Sequence, residues 1–201
     1  MDSVVRAFYK DNTMAKGAKV QEDLLSIVSE LSQTASLIDP ETIDSLLAQI
    51  KSANRIFFGG AGRTGLAFKM AAMRFMHLGY TVHVVGETTT PAILEGDLLI
   101  LGSGSGSTST LVTAGEKAKK QQAALAVLTA DENSRLAELA DVTLRIPAAV
   151  KTDFGAAISA QYAGSLFEQA ALLVMDAVFM TLWQESGLTK EELWPKHANL
   201  E

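Results

Sequence analysis

Two turns in this chain carry the residue types that hold an anion. The first, Gly59-Gly60-Ala61-Gly62-Arg63-Thr64-Gly65, runs from a short apolar segment straight into a helical pattern. Small residues let the backbone come close to a ligand, and a helix start offers unpaired N–H groups. Gly62 and Arg63 are the binding candidates here, with Arg63 an anion clamp whose guanidinium can make paired hydrogen bonds to phosphate or sugar oxygens. Tight packing of a strand against a helix demands the same glycines, so the turn alone is a weak signal. Two details argue against a dinucleotide site: Arg63 sits inside the turn, and His83-Val84-Val85-Gly86 stands where an acidic residue would close the second strand.

The second turn, Gly102-Ser103-Gly104-Ser105-Gly106-Ser107-Thr108-Ser109-Thr110, also leads into a helix. Its hydroxyls and backbone amides form a nest suited to a phosphate dianion. A flexible Gly/Ser linker fits poorly between an apolar strand and a periodic helix. The turn lacks the Gly-Lys-Ser/Thr of a nucleotide triphosphate loop.

Two carboxylates could act as bases. Glu168 lies in a largely apolar helical stretch, with Leu172 and Met175 at i+4 and i+7, and burial in such a setting makes a carboxylate a stronger base. An exposed glutamate near a helix start, stabilised by the dipole, reads equally well from the residues. Glu87, in the turn after the second strand, could bind sugar hydroxyls, serve as an alternative base, or stand exposed in a loop.

The elements that must position these groups follow from periodicity. Val20, Leu24, Ile27, Val28 and Leu31 have helical spacing, and a second helix starts at Asp39-Pro40-Glu41, with Asp39 as cap and Ile43, Leu46, Leu47 and Ile50 as its apolar stripe. Residues 1–19 show no period and read as an arm preceding a domain over 20–201. Residues 55–58, 81–85, 98–101, 124–128 and 142–146 read as strands, with helices over 64–78 and 109–122. Continuous apolar strands joined by helices imply a doubly wound α/β fold, a parallel sheet covered on both faces, which binds ligands at the carboxyl ends of its strands. Residues 164–186 form a helix apolar on nearly every face, which predicts packing against another subunit and a homo-oligomer.

Composition narrows the function classes. With 201 residues and 48% hydrophobic content the chain can bury one sizeable core. The longest apolar stretch, residues 170–183, is interrupted by Asp176 and falls short of the roughly 20 residues that a bilayer span needs, so no membrane partner is expected. A net charge of -6 with dispersed Lys and Arg argues against a nucleic-acid partner. The densest basic group, Lys117, Lys119 and Lys120, reads as a solvated helix end. No cysteine is present, and three isolated histidines give no zinc spacing, so no metal and no cofactor are expected. A cytoplasmic location fits this composition.

The chain resembles the sugar isomerase (SIS) domain family from about residue 20 onward, and within it the 6-phospho-3-hexuloisomerase branch. The similarity rests on Gly60-Ala61-Gly62-Arg63-Thr64-Gly65, Met73-Arg74-Phe75-Met76-His77-Leu78-Gly79, Gly86-Glu87-Thr88-Thr89-Thr90-Pro91-Ala92-Ile93, Gly164-Ser165-Leu166-Phe167-Glu168-Gln169 and His197-Ala198-Asn199-Leu200-Glu201. The resemblance implies a flavodoxin-like three-layer fold with five parallel strands, a homotetramer with shared active sites, and conversion of arabino-3-hexulose 6-phosphate to fructose 6-phosphate in formaldehyde assimilation by the ribulose monophosphate pathway. It implies phosphate binding at Ser103, Ser105 and Thr108 and favours Glu168 as the base and His197 as the proton shuttle; because the tail follows the apolar helix over 164–186, His197 is expected to act in its own chain or to complete the site of a neighbouring subunit. The family commonly reads Ser-Gly-Ser-Gly-Glu-Thr, and Ser107 stands here in place of that glutamate. The competing expectations are a non-catalytic sugar-phosphate sensor and an isomerase of another phosphosugar. His77 and His83, inside a helix and a strand, read as packed or surface histidines.

Overall fold

Burial along each strand decides which layer every residue serves. The structure, a computed structural model, describes residues 16–151 and 158–200. Its elements in chain order are α1 (Lys16–Ser36), α2 (Pro40–Ser52), β1 (Ile56–Gly60), α3 (Gly62–Leu78), β2 (Val82–Val84), β3 (Leu98–Gly102), α4 (Ser109–Lys120), β4 (Ala124–Thr129), α5 (Arg135–Leu139), β5 (Val142–Arg145), α6 (Ser165–Ser186) and α7 (Lys190–Leu193), closed by a 3-10 turn, Trp194–Lys196. The five strands are parallel, in the order β2-β1-β3-β4-β5. Successive strand residues point to opposite faces. Ile56, Phe58, Ile100 and Leu128 therefore join one core with α2, α3 and α6, while Phe57, Leu99, Leu101 and Val127 join the other with α4 and α5. This is the three-layer, flavodoxin-like α/β fold that the sequence predicts.

Local chemistry sets the element ends. Asp39 caps α2 by accepting from the Glu41 and Thr42 N–H groups at 3.3 and 3.1 Å, with Pro40 at the first helical position. Gly79, at φ 107°, ends α3 in the left-handed region. Lys117, Lys119 and Lys120 fill the last turn of α4, where Lys119 pairs with Asp141 at 2.6 Å. Helix α1 is described from Lys16, so residues 16–19 of the expected arm are helical; residues 1–15 lie outside the described residues.

No helix joins β2 to β3. Their connection is pinned instead by Asp97, 2% exposed, which accepts from Arg55 Nε at 2.9 Å and from the Leu94 N–H at 2.8 Å. Burial pushes the Asp97 carboxyl up, but the hydrogen bonds from Arg55 and Leu94 outweigh it and hold it below the usual carboxylate value.

Helix α6 bears on two expectations. It is 22 residues long and, with a mean hydropathy of 1.5 over an 18-residue window, is long and apolar enough to cross a membrane by length and composition, because the apolar count extends beyond the stretch 170–183. In the fold it is a core helix, with Leu166, Phe167, Ala171, Met175, Val178 and Leu182 buried. Its other faces meet α1, α2 and α3, which accounts for part of its apolar character within one chain. The large apolar residues it leaves exposed are Leu173 and Met180, whereas longer exposed stripes run along α1 (Val20, Leu24, Val28) and α3 (Leu66, Met70, Met73).

Candidate active site

In an open parallel sheet, ligands bind beyond the carboxyl ends of the strands where strand order reverses. Here that point lies between β1 and β3, and a cavity of about 310 Å³ opens there, lined in part by Ala61, Thr64, Ser103, Ser105, Ser107, Thr108, Lys151 and Glu168. Three helices begin on this cavity. Ala61, Thr108 and Gly164 are the cap residues of α3, α4 and α6, and none of the three helix starts has a side-chain cap, in contrast to α2. The unpaired N–H groups of those first turns make the cavity attractive to an anion.

The hydroxyl turn folds as a nest at the start of α4. Ser103 is buried, and its Oγ lies 3.2 Å from Thr108 Oγ1. The Ser107 hydroxyl donates to Ser105 Oγ at 3.1 Å, so the residue standing in the glutamate position faces the same cavity as its neighbours. Ser103, Ser105 and Thr108 are thus brought together.

The first turn does both things its glycines allow. A Cβ on Gly65 would lie 2.7 Å from the Gly60 carbonyl oxygen, so close strand-to-helix packing requires glycine there. Gly62, at φ 59°, needs the left-handed region to turn the chain into α3. Arg63 is two-thirds exposed, and its Nε donates to Glu168 Oε2 at 2.5 Å.

Glu168 is 8% exposed, in the first turn of α6, on the cavity wall. Of the two alternatives read from the sequence, the exposed glutamate is excluded. The environment is not purely apolar, because Arg63 supplies a positive charge that the sequence pattern did not reveal. With Oε2 held, Oε1 has no hydrogen-bond partner among the described residues.

Gly62 and Arg63 stand between the lining residues Ala61 and Thr64 without lining the cavity themselves, and two further expected residues lie away from it within one chain. Glu87 lies on the surface, half exposed and paired with Lys69. His197 stacks on His77 with ring centroids 4.0 Å apart and on Trp194 at 4.8 Å. His77 is in the last turn of α3 and Arg63 in the first, so at 1.5 Å per residue the histidine pair lies roughly 20 Å along the helix from the Arg63 end. His77 is buried and His83 packs on the Phe57 ring at 5.0 Å, as expected of packed histidines.

The sequence reading missed Lys151. It follows β5 in a loop and lines the cavity, and the rule that ligands sit after strand ends would have directed attention to the segment after the fifth strand as well as the first and third.

Comparison with known proteins agrees with this geometry. The SIS domain family matches residues 49–174. The chain is 52% identical to a 3-hexulose-6-phosphate isomerase of Mycobacterium gastri, covering 92% of this chain and 93% of the relative. It is 43% identical to a 3-hexulose-6-phosphate isomerase of Bacillus subtilis, covering 91% and 100%. Among solved structures it is similar to a hypothetical protein of Methanococcus jannaschii whose crystal structure was taken to imply 3-hexulose-6-phosphate isomerase function, with TM-score 0.78, 32% identity and coverage of 90% and 99%.

Proposed function

The chain belongs to the SIS domain family, and on that premise we propose that it is a 6-phospho-3-hexuloisomerase, converting D-arabino-3-hexulose 6-phosphate to D-fructose 6-phosphate. The observation that carries the chemistry is the buried Glu168 carboxylate on the wall of a cavity whose floor is a hydroxyl nest. The substrate phosphate docks at Ser103, Ser105 and Thr108, at the start of α4. Glu168 removes the proton from C2, the neighbour of the C3 carbonyl, to form an enediolate, and the proton returns to C3. Arg63 orients the carboxylate by holding Oε2 and leaves Oε1 for the proton. The reaction calls on neither metal nor organic cofactor.

A second proton carrier must move a proton between O2 and O3. His197 takes this role from a neighbouring subunit, because its own chain holds it far from Glu168. The exposed stripe of Leu66, Met70 and Met73 begins one helical turn from Arg63 and offers a surface for a second copy near the site. The assembly in this reading is a homotetramer with shared active sites, located in the cytoplasm, and the reaction serves formaldehyde assimilation by the ribulose monophosphate pathway. Dilution below the assembly constant then abolishes turnover; full activity in a stable monomer contradicts the shared site.

The reaction is tested with freshly generated arabino-3-hexulose 6-phosphate, a chelator, and coupled detection of fructose 6-phosphate. Turnover under these conditions supports the reading. Binding of the sugar phosphate with no product contradicts it and favours a sensor.

A further inference from the structure

The cavity holds a cation that no sequence motif announces. The Cγ of Lys151 lies 3.5 Å from the point where a Gly164 side chain would begin, and its Nζ lies 3.9 Å from the corresponding point at Gly62. Glu168 Oε1, the oxygen left free by Arg63, is 3.9 Å from that same Gly164 point. The lysine stem therefore passes the start of α6 beside the carboxylate, and its ammonium ends at the start of α3. Lys151 has no ion pair or hydrogen bond among the described residues, whereas the charge of Arg63 is engaged by Glu168. In a chain with net charge -6, an uncommitted cation on the wall of an anion-binding cavity is not explained by stability.

Proton removal next to a ketone puts negative charge on the carbonyl oxygen, and a donor fixed in advance near that oxygen lowers the barrier more than any other single device. We propose that Lys151 is that donor, holding O3 of the substrate as it becomes an enediolate oxygen. The inference rests on the isomerase reading above. The C2–H bond breaks, its proton passes to Glu168, its electron pair forms the C2–C3 double bond, and the carbonyl pair moves onto O3 beside the ammonium. The O2 proton then leaves, a new C2 carbonyl forms, and C3 receives the proton held by Glu168. The second proton carrier of the reading above takes the O2 proton and delivers it to O3, so no proton is gained or lost overall and the sum is an isomerisation.

The test compares Lys151→Met, Lys151→Arg and Glu168→Gln with the wild type, measuring kcat, KM and inhibition by inorganic phosphate. Lys151→Met is expected to lose about 10²- to 10³-fold in kcat, the range for removing one donor to a developing oxyanion. Its inhibition by inorganic phosphate stays as in the wild type, which also shows that the variant is folded. Lys151→Arg restores part of kcat. A wild-type kcat in Lys151→Met overturns the proposal. So does a loss carried by KM together with weaker phosphate inhibition, which assigns Lys151 to the phosphate instead. If Glu168→Gln abolishes turnover while Lys151→Met does not, only the lysine assignment fails; if the wild type does not isomerise the sugar, the reading beneath it fails as well.

Discussion

Arg63 Nε and Glu168 Oε2 meet at 2.5 Å and tie the start of α3 to the first turn of α6. A single hydrogen bond thereby fixes one carboxylate oxygen and directs the other at the cavity. Because Arg63 is two-thirds exposed, the pair adds little to stability, on the order of 0–1 kcal/mol. Its value lies in orientation.

Arg63→Met is therefore expected to lower kcat by about 10- to 100-fold, the cost of a small misplacement of a reacting group, while the melting temperature stays near that of the wild type. Steady-state kinetics and a thermal melt on the same preparation read both quantities. A large drop in melting temperature with kcat preserved contradicts the orienting role.

The hydroxyl nest predicts a different kinetic signature. Ser103→Ala removes a buried hydroxyl at the phosphate end, and a hydrogen bond to a charged group is worth about 1.5–3 kcal/mol. KM is expected to rise by roughly 10- to 100-fold, and inhibition by inorganic phosphate to weaken in parallel. An unchanged KM places the phosphate elsewhere.

Glu30 gives the stability of the fold a pH dependence. Its Oε2 accepts from the Ser159 hydroxyl at 2.7 Å and from Gln161 Nε2 at 3.0 Å, and its Oε1 from the Ala160 N–H at 2.7 Å. These residues directly precede the start of α6, where Tyr162 O accepts from the Ser165 hydroxyl at 2.8 Å. Burial pushes the Glu30 carboxyl up, but the hydrogen bonds from Gln161, Ala160 and Ser159 outweigh it, so the folded value lies below the ordinary 4.5. A carboxyl that is more acidic when folded adds stability above its unfolded pKa, and that stability is lost as pH falls through the depressed folded value. The stability gap between wild type and Glu30→Gln, measured by denaturant unfolding, should be largest at neutral pH and close in acid below 4.5. A gap independent of pH contradicts this linkage.

Much of the fold was legible because buried parallel strands are written as continuous apolar runs. All five strands were found, each within two residues of its ends. What escaped was set by partners distant in sequence. Nothing near Glu168 announces Arg63, 105 positions away, and the helix pattern of α6 did not reveal which of its faces α1, α2 and α3 cover. Short α5 and α7 have too few residues to show a period. The two glycine-rich turns were readable because they sit after strands, and Lys151 was not, because the stretch 146–151 that follows β5 carries no glycine or hydroxyl residue. His197 was found through the match of its terminal string, which fixes its identity but not its place in one chain.

The most direct test of the central claim is isomerisation of arabino-3-hexulose 6-phosphate in deuterium oxide by the wild type and by Glu168→Gln, with the product examined by NMR. A carboxylate base predicts deuterium at C3 of the wild-type product in proportion to how far the proton on Glu168 exchanges with solvent before it returns, and loss of turnover by about 10²-fold or more in the variant with phosphate binding intact. A Glu168→Gln variant that turns over and labels its product as the wild type does would contradict the account.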